Sequence, residues 1–196
     1  KEEVIRLLDS LEKVKILPAK VALQKSLYFM KQEDLKQSLK YLDISISKEP
    51  KIGSYIQKAF LLSKMGKYKQ AIALYDDLDT SKVFRDEIYL SKAQAYFQNQ
   101  EPANGCSCLY KSVFEGRRDN AISILKKCAG YLKEEEKKVL KILDLMQVYK
   151  SKGMTYTDED DFDFLISQAP SSYDFRLWRG IFLKSKKRYK DAVRDF

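Results

Sequence analysis

Histidine is missing from all 196 residues, and only 3 cysteines, 4 prolines and 7 glycines occur. Without histidine there is no imidazole for general acid–base work and no Cys/His set to hold zinc. No glycine-rich phosphate loop, nucleophile elbow or metal-ligand cluster stands in the chain. Asp76 and Asp77 are adjacent and would point in different directions on a helix, so they make a poor acid–base pair. No enzyme is expected here, and neither a cofactor nor a metal site. The cysteines, Cys106, Cys108 and Cys128, are odd in number and lack secreted-style spacing, so inert thiols are expected in place of a disulfide framework. Long apolar runs are lacking too. Nothing approaches the ~20 residues of a membrane span, and residues 1–17 read as an amphipathic helix and not as a signal peptide. A cytoplasmic location is the expectation. With no initiating Met, and with a helical pattern still running at Phe196, a cut or processed piece of a longer protein is expected.

What is plentiful is Lys, Leu, Glu, Gln and Ala, within a hydrophobic share of 44%. That is the composition of long helices joined by short turns, and it predicts an all-α protein with a real core. Four stretches resemble one another: ALQKSLYF, YIQKAFLL, YLSKAQAY and RLWRGIFL. Each has a basic residue, then a small one (Ser26, Ala59, Ala93, Gly180), then a large one three places on (Phe29, Leu62, Tyr96, Leu183). The first three stand 33 and 34 residues apart. A small residue is needed where two helices of a hairpin approach to about 8–10 Å, and the large one covers the gap beside it.

Each of these helices is followed by a turn and a second pattern, clearest in GKYKQAIALYDDL. There Gly66 ends one helix, and Tyr68, Ala71, Ile72 and Tyr75 form the apolar face of the next. RYKDAVRDF repeats it with Tyr189, Ala192, Val193 and Phe196, and EDLKQSLKYL is a looser copy through Leu35, Ser38, Leu39 and Leu42. Pro50 and Pro170 fall between units, where a helix cannot continue. These motifs resemble the tetratricopeptide repeat. The resemblance covers nearly the whole chain and implies a right-handed α-solenoid of helix-turn-helix repeats.

The expected organisation is one superhelical domain over 1–196: an N-terminal helix in 1–17, repeats at 18–50, 51–84 and 85–118, an irregular extra helix at 119–133, a repeat at 134–170 and a truncated repeat at 171–196. From Ala93 to Gly180 the step is 87, two repeats of 34 plus 19 residues. Counting back 34 from Gly180, Leu183 and Lys187 reaches Met146, Tyr149 and Gly153, which puts the insertion before Met146. The third unit also departs from the family, with Pro102 in place of an aromatic and Gly105 in place of Ala, a glycine that weakens a helix by roughly 1 kcal/mol.

The resemblance implies a protein-interaction scaffold or chaperone-like adaptor that holds a peptide or protein segment on the concave wall of its first helices. Residues three before and one after each small residue are expected on that wall: Leu23 and Leu27, Ile56 and Phe60, Leu90 and Gln94, Leu177 and Ile181. Lys31, Lys64 and Gln98 are placed on its rim. The row is apolar, which signals a partner; the other reading is that winding, a neighbouring chain or the extra helix covers it. Chaperone-tail receptors of the family hold a carboxylate with Lys, Asn and Arg. This sequence has Leu23, Leu27, Gln57, Glu87 and Ser91 at those places, so that clamp is absent.

A net charge of +9 leaves a different class open, a basic repeat module binding nucleic acid or an acidic surface, with its densest run in KSKKRYK (Lys184, Lys186, Lys187, Arg188, Lys190). The unfinished pattern at RYKDAVRDF leaves a third, a spacer that self-associates through its last repeat. The acidic stretch TDEDDFDF lacks the spacing of a calcium loop. It reads as a helix N-terminus with Thr157 as its cap, and with Phe162, Leu165 and Ile166 on its apolar side.

Overall fold

The computed structural model describes residues 2–14, 17–78, 85–114, 118–153, 156 and 158–196. Twelve α-helices and one 3-10 segment, with no strand, occur among the described residues. These fall into two compact units, Lys1–Glu101 and Pro102–Phe196, divided inside the expected 85–118 repeat. The first unit holds α1 (Glu2–Lys13), α2 (Pro18–Lys31), α3 (Leu35–Lys48), α4 (Ile52–Lys64), α5 (Tyr68–Leu78) and α6 (Arg85–Gln98). The second holds α7 (Pro102–Val113), α8 (Arg118–Leu125), a 3-10 segment (Lys126–Tyr131), α9 (Glu134–Ser151), α10 (Glu159–Gln168), α11 (Tyr173–Ser185) and α12 (Tyr189–Asp195).

Helix α2 packs on α3, α4 on α5 and α11 on α12, and the small residues sit where they touch. Ala59 and Ala93 are fully buried and Ser26 nearly so. A Cβ on Gly180 would meet Phe196 Cε1 at 2.8 Å and Asp195 Cβ at 3.2 Å, closer than packed side chains stand. At Ser26 the contact is polar: its hydroxyl lies 3.1 Å from that of Ser38, which donates to the Ser26 carbonyl at 2.9 Å. The second-helix positions also enter the core, with Leu42, Ala71, Tyr75 and Ala192 at most 2% exposed.

The turns are alike to the level of single hydrogen bonds. Glu33, Gly66, Gln100 and Lys187, seven residues after each small one, all lie in the left-handed region, at φ from 62° to 74°. There the next amide reaches back to the large residue of the motif: Asp34 N donates to Phe29 O, Lys67 N to Leu62 O, Glu101 N to Tyr96 O and Arg188 N to Leu183 O. This is the Schellman closure, which pairs the carbonyls a helix end leaves open. Gly153 adopts the same conformation at φ 66°, and its amide donates to Lys150 O. The fourth unit thus stands in the register counted back from Gly180, with the extra residues before it.

Those residues form α8 and the 3-10 segment, which pack on α7. Cys106 of α7 and Cys128 of the 3-10 segment are joined by a disulfide, while Cys108 is buried outside it. The expectation of three inert thiols is corrected here. Nothing in the spacing marks the pair, because 22 residues of chain must fold back before the sulfurs meet. A second correction concerns α10. Thr157 lies outside the described residues, and the cap is Asp158, whose carboxylate accepts from Asp160 N at 3.1 Å and Asp161 N at 3.4 Å.

Candidate functional site

The basic residue just ahead of each small one does not face a ligand. Lys25 is 1% exposed, and its ammonium donates to Asp9 at 2.6 Å and to Glu12. Lys58 pairs with Asp43 at 2.8 Å, Lys92 with Asp76, and Arg179 with Asp163. In each case the acid lies 15 or 16 residues upstream, on the helix before, directly after a core residue: Leu8, Leu42, Tyr75 or Phe162. Helix α1 therefore stands to α2 as α3 stands to α4. Burial disfavours the Lys25 charge, but the hydrogen bonds it donates to Asp9 and Glu12 outweigh that and raise its pKa. Arg179 also holds Asp195 with two bonds, at 2.8 and 2.6 Å, and its pKa is raised by Asp195 first and Asp163 second. These cations fasten helices together, so they are unavailable for binding.

A cleft of about 440 Å³ opens to solvent in the first unit. Helix α4 contributes Phe60, Ser63 and Lys64, α5 contributes Tyr68 and Tyr75, and α6 contributes Ser91, Gln94, Ala95 and Gln98. Phe60 and Lys64 stand one turn apart, as do Gln94 and Gln98, so each helix turns one stripe to the cleft. The Lys64 ammonium lies 5.3 Å from the centre of the Phe60 ring and shields part of it. Tyr75 is wholly buried at the inner side, and its hydroxyl has no hydrogen-bond partner of normal geometry. Burial pushes this phenol up to about 12; Ser91 is near enough to hold the rise back, and Glu87 adds to it.

Phe60 and Gln94, expected on the wall, and Lys64 and Gln98, expected on its rim, line one cleft. Ile56 is 5% exposed and belongs to the core cluster with Ala59, Leu62, Ala71, Tyr75 and Ile88, so its place on an open wall is corrected. Leu23, Leu27, Leu90 and Leu177 are half-buried, while Lys31 and Ile181 are exposed. The positions three before the small residue are buried or half-buried, those five after it face out, and those one after it face out except for Leu27. Ser63, Tyr68, Tyr75, Ser91 and Ala95 also line the cleft and were not among the residues expected on the wall or its rim. The repeated one-turn spacing was the signal for the stripe, whereas Tyr68 and Tyr75 come from a different helix and carry none.

Among the described residues there is no group of three or more His, Cys, Asp and Glu able to hold a metal, and no helix long and apolar enough to cross a membrane. The run around Lys187 is exposed, and Arg188 within it is tied to Glu159 and Asp191. Helix α12 exposes Tyr189 and Val193, and Phe196 just after it is exposed too.

No protein-family model matches the chain, and no curated protein matches it in sequence. Solved structures do match in fold. A tetratricopeptide repeat protein from Parabacteroides merdae matches with a TM-score of 0.50 at 18% identity, over 91% of this chain and 64% of that one. This chain therefore spans less than two thirds of that relative. The complex of the TPR2AB domain of yeast Sti1 with pHSP90 matches at 0.48 and 18% identity, over 90% of this chain and 74% of that one. MamA protein matches at 0.49 and 13%, over 91% and 88%. With its helix hairpins, small-residue contacts and repeated Schellman turns, the chain has the all-α helical-repeat fold of tetratricopeptide-type proteins.

Proposed function

We propose that the chain is a protein-interaction scaffold that holds a peptide or protein segment along its first helices, with the cleft of α4 and α6 as a contact point. The observation that carries this reading is the cleft itself, where a half-exposed aromatic, two amides and a cation stand together. An aromatic ring offers apolar area, and flanking amides can pair with the polar backbone of an extended segment. The helical-repeat fold supports it, because helix hairpins present side chains in rows on a rigid frame. Affinity capture with mass spectrometry, comparing wild type with Phe60→Asp, tests it. Loss of captured proteins from a variant of unchanged helicity is expected; undiminished capture overturns the reading.

A second reading rests on the exposed Lys184, Lys186, Lys187 and Lys190, which would attract a polyanion. A salt-titrated RNA shift assay addresses it, and no shift at low salt ends it. Self-association through the exposed face of α12 is a third, and light scattering that stays monomeric at all concentrations ends that one.

A further inference from the structure

Both acids on α12 are already paired, Asp195 with Arg179 and Asp191 with Arg188 and Arg194. Arg188 also holds Glu159, so the arginine of the turn is spent inside the fold. Lys184, Lys186, Lys187 and Lys190 are exposed and have no ion pair among the described residues. Beside them Tyr189, Val193 and Phe196 make one row at i, i+4 and i+7, and Val193 is 72% exposed. The hairpin of α4 and α5 has the same positions 121 residues earlier (189 − 68). There Ile72 and Tyr75 are buried, where Val193 and Phe196 are open. Where that hairpin has Ser63, Met65, Gly66 and Ala73, this one has Lys184, Lys186, Lys187 and Arg194. Four positions neutral there are cationic here, around an apolar row that faces solvent. We propose that this face lies on an anionic lipid surface, with the apolar row at the boundary of headgroups and acyl chains and the four lysines against the lipid phosphates. The surface belongs to the second unit and shares nothing with the cleft, so the scaffold reading neither supports it nor falls with it.

The residue types favour lipid over an RNA strand or a folded acidic partner. Lysine is a flexible point charge and suits a fluid array of charges, whereas a fixed carboxylate or phosphate is gripped best by the arginine fork. Here the arginine of the turn is tied up and the lysines are unpaired. An aliphatic side chain such as Val193 gives a base nothing to stack on, but it partitions into the lipid boundary. Tyrosine sits well at that depth, with its ring in the apolar layer and its hydroxyl in water. Lysine stems lie along apolar lipid while their ammonium groups stay with the phosphates. No described helix is long and apolar enough to cross a membrane, so the contact is one of lying on the surface.

Sedimentation of the whole chain with lipid vesicles is the test. Vesicles of phosphatidylcholine with about 30% phosphatidylserine should carry the chain down at low salt, and pure phosphatidylcholine vesicles should not. Lys186→Gln with Lys190→Gln should weaken binding about 25-fold, about 5-fold for each charge removed. Val193→Asp should weaken it at least about 10-fold, and without lowering Tm, since Val193 is exposed. Lys36→Gln with Lys67→Gln takes the same charge from exposed positions of the first unit and should change binding less than about 2-fold. Absence of binding to the anionic vesicles at low salt overturns the proposal. So does an equal loss from the Lys36 and Lys67 pair, which would mean that net charge alone attracts the chain. Undiminished binding by Val193→Asp overturns it as well and leaves the lysines to a polyanion such as RNA. A dimer in light scattering that Val193→Asp splits, without vesicle binding, assigns the face to a second copy and overturns it too.

Discussion

Within residues 1–101 each first helix is fastened to the helix before it in the same way. A cation ahead of the small residue reaches an acid 15 or 16 residues back, at Lys25, Lys58 and Lys92. Between Gln100 and Gly153 that device is missing among the described residues. The register puts Leu145 ahead of Met146 where the cation would stand, and the second-helix position of the acid holds Tyr110. In its place stand an added segment, a disulfide from Cys106 to Cys128 and the Lys126–Asp144 ion pair at 2.5 Å. Regular units fit by repeating one contact, so an inserted segment that breaks the register needs cross-links of its own. After the insertion the device returns, at Arg179 and Asp163.

The largest effect expected is at that cross-link. Cys106→Ser with Cys128→Ser should cost about 3 kcal/mol, as a closed loop of this length implies, and hydrogen exchange should rise in α7 and 121–131 while 18–78 stays protected. Equal loss of protection in both units would break the contrast between them.

Next come the pairs of the regular unit. Asp9→Asn with Glu12→Gln strands an ammonium that is 1% exposed, and a cost of about 2 kcal/mol is expected, seen as release of α1 in hydrogen exchange. Adding Lys25→Met should restore most of it, because an apolar side chain of similar length needs no partner. The pH profile has a definite sign. The folded pKa of Lys25 is raised, so its contribution is complete below the ordinary lysine value and falls as pH rises through the folded pKa. Docking of α1 should weaken under alkaline conditions in wild type and not in the Lys25→Met chain.

The smallest effects are at the turns. Gly66→Ala should cost about 1 kcal/mol at φ 74°, while Glu33→Gly or Gln100→Gly should stabilise by somewhat less than 1 kcal/mol, by thermal melts. Opposite signs at equivalent positions would show that one backbone geometry governs all the turns.

Much of the fold was legible because its spacing is local. Ser26, Ala59, Ala93 and Gly180 announce the close helix approaches, and Gly66 and Gly153 announce turns one could count from. The left-handed Glu33, Gln100 and Lys187 were less visible, since their residue types do not demand that conformation and hydrogen bonding at the helix end imposes it. Four of the nine residues lining the cleft were legible, through the i and i+4 stripes of Phe60 with Lys64 and Gln94 with Gln98. Ile56 was misplaced because a wheel drawn about one helix cannot say how far the neighbouring α5 and α6 reach around it.

By itself the sequence determined an all-α chain of helix hairpins, their register, and the 19 extra residues ahead of Met146, since apolar period, small residues and turns act over a few residues at a time. Only the tertiary structure decided which charges are spent on holding helices together, which cysteines join, and that Lys64 stays unpaired among the described residues beside a buried hydroxyl. Those depend on distances between helices far apart in sequence, and a carboxylate or a thiol carries no local mark of the partner that folding brings to it.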